Sequence, residues 1–357
     1  MEISAFPGPS PAISLRFCKR ISTPTVSSFL YLRCNLQDNS MDLKPKPPNL
    51  RMFILGMGFV GQFLAADLKN KGWVVSGSCT SNAKKTKLEQ MGFDAYIFQA
   101  NEPDFEVLDV MKHHTHLLIS IPPVVGLGDP MLNHKGLLES KLKQGNVRWL
   151  SFLSSTRVYG DSGGTWVDED HPIIPTNELA RARLAAEEGW SRLGNDLGIA
   201  VQIFRLGGIY GPGRSAIDTI IKKEPLSTSH RARSSRRYTS RIHVADICQA
   251  LNASIEKPSA GKIYNIVDDD PAPRVEVFTF AQNLITSKWP DHGQQIINPR
   301  MADTLIRDGG YSEEKRVSNN RMKEELGVKL IHPTYRSGLQ DIIRQIDSPF
   351  VHNLPSS

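Results

Sequence analysis

The sequence predicts an α/β fold in which a doubly wound parallel sheet is followed by a smaller C-terminal α/β lobe. Three observations predict it. Strand-length apolar runs alternate with amphipathic helical stretches from Leu50 onward, a glycine-rich loop joins the first run to the first helix, and the alternation breaks after Gly213. Sustained alternation of this kind is the pattern of a parallel sheet covered by helices on both faces.

The 357 residues suffice for a large core, and apolar and charged fractions of 39% and 22% are those of an ordinary globular protein. Residues 1–49 differ in kind. They are rich in Ser and Pro, and before Asp38 their only acid is Glu2, while Arg16, Lys19, Arg20 and Arg33 supply positive charge. This is the composition of an organelle transit peptide closed by the extended linker K-P-K-P-P at Lys44 to Pro48. A chloroplast stromal address is preferred to a mitochondrial one because no Arg-rich amphipathic helix is evident. Val26 to Leu32 is too short and polar to span a membrane. Half of the net charge of +6 lies in this leader, so the body gives no case for a polyanionic partner. Two of the four cysteines, Cys18 and Cys34, are also there, and Cys79 and Cys248 have no metal-ligand or redox spacing.

The folded part is expected to begin near Leu50. Its strands are expected at Met52 to Leu55, Trp73 to Ser76, Ala95 to Phe98, Leu117 to Ile121, Trp149 to Ser154 and Val201 to Phe204. The strongest helix follows Pro175, which blocks backward propagation, with Thr176 or Asn177 as its cap. Residues 50–214 form the nucleotide-binding domain and 215–350 a lobe interleaved with that core. In the lobe, helices mix with isolated strands such as Lys262 to Ile266. Ligands of open α/β sheets bind at the carboxyl edge, on which the lobe is expected to pack.

The chemistry begins at R-M-F-I-L-G-M-G-F-V-G, Arg51 to Gly61, where a GxGxxG element follows a strand and opens a helix from Gln62 to Asn70. In a Rossmann fold Gly56 permits the tight turn, Gly58 lets backbone amides approach a pyrophosphate, and Gly61 allows close helix–strand packing. Phe59 and Val60 complete the phosphate-facing first turn. At the end of the second strand an acid would hold the ribose of NAD, but V-V-S-G-S-C-T-S-N-A-K-K has none. Thr80, Ser81 and one of Lys84 or Lys85 suit a 2′-phosphate instead, so NADP is favoured over NAD, with a solvated lysine face as the alternative.

Further pieces recur in a familiar order: S-I-P-P at Ser120, S-S-T-R-V-Y-G at Ser154, R-L-G-G-I-Y-G-P-G-R at Arg205, R-I-H-V-A-D-I at Arg241, Y-N-I-V-D-D at Tyr264 and K-R-V-S-N-N-R-M-K-E-E-L-G at Lys315. Together with the glycine loop, the chain resembles the extended short-chain dehydrogenases/reductases, the NAD-dependent epimerase/dehydratase family. Within it the atypical YeeZ-like branch, of plant chloroplast type, is most similar. The resemblance implies that Ser120, Ile121 and Pro122 line the adenine-ribose side of the cofactor. It also implies that Ser155 hydrogen-bonds the substrate oxygen and that Leu206 to Ile209 lie under the nicotinamide, with Tyr210 packing nearby. His243 and Asp246 match a structural turn.

The pattern departs from the family at its catalytic pair. Active relatives carry Tyr-x-x-x-Lys on one helix face, the Tyr transferring a proton and the Lys holding the nicotinamide ribose. Counting back from Glu187, this chain has Leu179 and Arg183. Leucine transfers no proton, whereas Arg183 can still donate to ribose hydroxyls. Tyr159, Asp161 and Glu178 are nearby acids in sequence, each with a plainer role available: packing, turn and helix first turn. The expected function is an NADP-binding oxidoreductase-like protein that reduces or epimerises a small molecule by hydride exchange, using Ser155 and Arg183 without the usual pair. The alternative is a non-catalytic NADP-binding redox sensor or a protein- or RNA-binding factor of the chloroplast.

Other features are weighed more simply. The basic stretch His230 to Arg241 suits a phosphorylated substrate or RNA, but a mobile solvated loop is the favoured reading. Thr239 stands where sugar-nucleotide epimerases have a phosphate-binding Arg, which weakens a sugar-nucleotide substrate. His113, His114 and His116 lack a carboxylate or cysteine at ligand spacing, so no metal site is expected. Asp268 to Asp270 reads as a turn.

Overall fold

The computed structural model describes residues 50–99, 106–222, 237–290 and 314–348. The leader at 1–49 and residues 230–236 of the basic stretch lie outside the described residues.

The centre of the fold follows from the apolar runs. β1 (Arg51–Leu55), β2 (Val74–Cys79), β3 (Asp94–Ile97), β4 (His116–Ile119), β5 (Trp149–Ser155) and β7 (Ala200–Leu206) lie parallel with the order β7-β5-β4-β1-β2-β3. The order reverses between β1 and β4, and the strands' carboxyl ends at such a switch point are where open α/β sheets hold a ligand crevice. Successive side chains of β1 go to opposite faces. Met52 and Ile54 join one apolar core, with α1 (Phe59–Asn70) over it, and Phe53 and Leu55 join the other, which α3 (Glu106–Met111), α4 (Lys135–Lys143) and α5 (Glu178–Leu197) cover. Burial on both faces is why this strand is apolar without alternation. α2 (Asn82–Gln90) connects β2 to β3.

α5 is set by its ends. Asn177 Oδ1 accepts from the Ala180 amide at 2.9 Å, and Gly198, at φ 67°, terminates the helix in the left-handed conformation. Its inward face, including Ala186, Trp190 and Leu193, packs on the sheet.

The segment Lys262–Ile266 is not an isolated strand. As β10 it is the seventh strand of the main sheet, pairing in parallel with β7 from Lys262↔Gln202 to Ile266↔Leu206. Its partner lies about 60 residues back, a pairing that strand periodicity does not encode. The rest of the lobe is a third core, made by α6 (Ala216–Ile221), α8 (Arg274–Lys288) and α10 (Tyr335–Arg344). Two short parallel ribbons brace it: β6 (Trp166–Val167) with β11 (Arg316–Val317), and β8 (Gly208–Tyr210) with β9 (Arg241–His243). α7 (Val244–Glu256) and α9 (Asn320–Leu326) return to the core over α1. Among the described residues no helix is long and apolar enough to cross a membrane.

Candidate active site

The glycine loop is shaped by contacts that leave no room for side chains except where a ligand needs access. Gly56 sits at φ 98°, and a Cβ there would lie 2.8 Å from Ile121 Cγ2, so Ile121 is packed directly on the turn. The Gly56 amide donates to Ser78 Oγ at 2.9 Å, and the Met57 amide to the Ser78 carbonyl at 2.7 Å. A Cβ on Gly61 would meet the Gly56 carbonyl oxygen at 2.9 Å and Ile54 Cγ2 at 3.0 Å, which is the close helix–strand approach the motif predicts. Gly58 differs: nothing closer than 4.0 Å would touch a Cβ there. That open face lies before the first turn of α1, where the amides of Phe59, Val60 and Gly61 have no helical carbonyl to bond. Val60 is buried, and the Phe59 ring meets Phe63 edge to face and lies under the Arg214 guanidinium at 5.3 Å.

At the end of β2, Thr80 and Ser81 are exposed and Ser81 caps α2, its Oγ accepting from the Lys84 amide at 3.4 Å. Lys85 reaches Glu89 at 3.9 Å, whereas the Lys84 ammonium has no ion-pair partner among the described residues. Ser120, Ile121 and Pro122 follow β4 at the crevice, with the Ser120 amide donating to the Leu55 carbonyl at 2.9 Å.

Across the crevice, Ser155 ends β5 directly opposite Leu206 of β7. Its Oγ accepts from the Arg157 amide at 3.3 Å, capping a short 3-10 turn, Thr156–Tyr159, against which α5 packs. The hydroxyl hydrogen of Ser155 remains available to a ligand. A cavity of about 120 Å³ opens here, lined by Ser155, Arg157, Leu206, Tyr238, Thr239 and Lys315 among others. Ile209, three residues after Leu206, lies in β8 and lines the neighbouring cavity of about 330 Å³.

Arg183 is largely buried, and its Nε has no hydrogen-bond partner. Desolvation, and then the positive charge of Arg157, hold its pKa below the usual guanidinium value, with Glu187 opposing. Glu187 is not available as its counter-ion. It is clasped by Arg205, whose Nε lies 3.2 and 3.1 Å from the two oxygens and whose Nη2 lies 2.7 Å from Oε2, and it also accepts from Ser154 Oγ. Arg205 Nη1 donates to Tyr159 OH at 3.0 Å, and that hydroxyl donates to Asn265 Oδ1 at 2.8 Å. The Asn265 backbone N–H donates to Glu169 Oε1 at 2.7 Å. This buried lattice ties β5, α5, β7 and β10 together beneath the site.

The lattice excludes Tyr159 as the proton donor. It is 1% exposed, both roles of its hydroxyl are taken, and burial pushes its pKa up to about 12 against the pull of Arg205 and Asn265. Asp161 Oδ1 accepts from the amides of Gly163 and Glu314, holding a turn. Glu178 is exposed at the first turn of α5, and Leu179 follows it.

Arg241 is not part of a solvated loop. It is 8% exposed, donates from Nη2 to the Ala272 carbonyl at 2.8 Å and lies over the Tyr335 ring. Arg237 pairs with Glu314 at 3.4 Å. Asp268 is more than a turn residue: it is 2% exposed, and burial raises its carboxyl well above the ordinary range. His243 Nδ1 accepts from the Ala245 amide at 3.2 Å, and Asp246, pushed up to about 6 by burial, accepts from the amides of Ile331 and His332. His114 and His116 are buried in the core, and the described residues contain no grouping able to hold a metal. Sequence reasoning missed Arg157, Ser240 and the Arg205–Glu187 pair, although Arg157 and Arg205 stand inside the quoted motifs.

A profile of the NAD dependent epimerase/dehydratase family matches residues 133–267. Protein YeeZ of Escherichia coli strain K12 is 32% identical over 223 residues, 60% of this chain and 77% of YeeZ. A 3-diazoavenalumate denitrifying reductase of Streptomyces sp is 26% identical over 310 residues, 81% of this chain and 99% of the reductase. Among solved structures, a functionally unknown conserved protein from Silicibacter pomeroyi DSS has a TM-score of 0.65 at 33% identity, covering 84% of this chain and all of that one (100%). UDP-glucuronic acid 4-epimerase from Bacillus cereus, in complex with NAD, has a TM-score of 0.61 at 17% identity over 83% and 97% of the two chains, a likeness of fold alone.

Proposed function

The chain belongs to the NAD-dependent epimerase/dehydratase family of extended short-chain dehydrogenases/reductases, and from that premise we propose that it is an NADP-binding oxidoreductase of the chloroplast stroma. In this reading it reduces or isomerises a small molecule by hydride exchange and does so without a tyrosine proton donor. The observation that carries the proposal is the buried, unpartnered Nε of Arg183, four residues after Leu179 on the helix that packs beside Ser155. A buried donor without an acceptor is costly, and a ribose hydroxyl is an acceptor of the right kind.

The residues fit a dinucleotide along the whole crevice. The free amides after Gly58, at the first turn of α1, suit a pyrophosphate, Ile121 and Pro122 an adenosine edge, and the unpaired Lys84 ammonium beside the exposed Thr80 and Ser81 favours a 2′-phosphate. When bound, the dinucleotide supplies the carbon that gives or accepts hydride. Ser155, whose oxygen already accepts from the Arg157 amide, donates to the substrate oxygen and polarises it. Arg183 holds the ribose, and the proton comes from water. Acid–base assistance contributes about 10²- to 10⁴-fold in rate. Its loss slows the chemistry without abolishing it. The relative named as a reductase supports a reductive direction.

The test has two arms. NADPH and NADH are titrated against the full chain by fluorescence, with at least tenfold tighter NADPH binding expected; tighter NADH binding refutes the role of Lys84. The NADPH-loaded protein is then incubated with a metabolite extract while NADPH oxidation and product masses are followed. Leu179 also favours a second reading, a non-catalytic sensor whose binding of a protein or RNA depends on NADPH. Tight NADPH binding with no turnover selects that reading.

A further inference from the structure

The cavity beside Ser155 has a charge pattern that a neutral substrate does not explain. Two of its lining residues, Arg157 and Lys315, are cations, and none is acidic. Lys315 Nζ donates to the Gly160 carbonyl at 2.5 Å, so it is anchored in place. The Arg157 side chain makes no ion pair or hydrogen bond among the described residues. The positive charge of Arg157 acts on the Arg183 guanidinium, and Glu187, which opposes that effect, is held by Arg205 and Ser154. Thr239 Oγ1 and Ser240 Oγ, on two further lining residues, are buried and have no hydrogen-bond partner.

Cations at a cavity whose lining holds no carboxylate, with unfilled hydroxyls beside them, describe a site completed by an anion. The cofactor does not supply it, since the part held by Arg183 is a neutral ribose and the phosphates belong at the glycine loop, on the other side of the crevice. We infer that the substrate is a small carboxylate-bearing carbonyl compound, its carboxylate received by Arg157 with the Thr239 and Ser240 hydroxyls and its carbonyl oxygen by Ser155. The inference rests on the reading of this crevice as the cofactor and substrate site. It separates the substrate from nucleotide sugars, because a cavity of about 120 Å³ takes a compact acid group. Planar guanidinium and carboxylate groups also match as a fork, which fixes the carbonyl against Ser155.

The experiment uses the full chain saturated with NADPH. Pyruvate, 2-oxobutyrate and benzoylformate are compared with their amides, by ligand-observed NMR for binding and by NADPH oxidation for turnover. At least one acid is expected to bind tenfold or more tightly than its amide. Arg157→Met is expected to remove that preference by weakening the acid alone, and the variant's NADPH affinity, measured by fluorescence, reports that its crevice is folded. Equal binding of acids and amides, binding of neither, or a preference retained in Arg157→Met overturns the inference. If NADPH itself does not bind, the reading of the crevice fails first. If NADPH binds and acids show no advantage, only the substrate class fails.

Discussion

Replacing Arg183 by methionine is expected to make the ligand-free protein more stable and its grip on NADPH weaker. Without ligand, the Nε of Arg183 is buried and unbonded, and its charge sits beside that of Arg157. An unsatisfied buried polar group costs about 1–3 kcal/mol. Methionine keeps the apolar stem and removes both penalties, while the attraction to Glu187 that it also removes is weak, since that carboxylate is already bonded to Arg205. The net expectation is a gain of about 1 kcal/mol. With ligand the balance reverses. Hydrogen bonds from a charged donor contribute about 1.5–3 kcal/mol, or roughly 10- to 150-fold in affinity. Urea unfolding of the ligand-free chain followed by tryptophan fluorescence measures the first quantity, and NADPH titration measures the second. A variant that is more than about 1 kcal/mol less stable, yet binds NADPH as before, refutes the argument and makes Arg183 a structural residue.

Three further outcomes are expected. Gly61→Ala places a methyl 2.9 Å from the Gly56 carbonyl oxygen, and overpacking of about 1–3 kcal/mol displaces the loop; NADPH affinity measured by fluorescence should fall at least tenfold, and an unchanged affinity means the loop does not hold the pyrophosphate. Leu179→Tyr restores a phenol on the face of Arg183, so NADPH oxidation with an accepted oxo acid should rise, by up to about 10²- to 10⁴-fold; an unchanged rate shows that position 179 does not face the reacting oxygen. The third concerns acid stability. Burial holds His116, 3% exposed, down to about 4 from its ordinary 6.5. A depressed folded value gives stability that is present above pH 6.5 and lost as pH falls through 4, here about 3 kcal/mol. His116→Phe should flatten urea-unfolding stability across that window, with His114, His243 and His332 contributing a remainder of the same sign. An identical slope in the variant removes His116 from the account.

What could be read in the sequence is what local chemistry encodes. The glycine loop is legible because three glycines between a strand and a helix are read as a tight turn and a close helix–strand packing, and Gly56 and Gly61 have that geometry. The sheet is legible because strands buried on both faces must be apolar throughout, as Met52 to Leu55 are. The absence of a tyrosine at Leu179 is also a fact of sequence, since spacing on one helix fixes which side chains share a face.

Other features needed the chain to fold back on itself. Lys262–Ile266 looks like any short strand until it pairs with β7, and Tyr159 looks like a candidate acid until Arg205 and Asn265 take its hydroxyl from either side. The charge of the cavity beside Ser155 is the clearest case: Arg157 and Lys315, its two cations, belong to a 3-10 turn and a loop more than 150 residues apart. By itself the sequence determined the Rossmann-like fold and the spacing that sets Leu179 and Arg183 four apart on one helix, because periodicity, glycine and residue identity are local. Only the tertiary structure decided which polar groups are left without partners, because burial and pairing are properties of the folded assembly of distant segments.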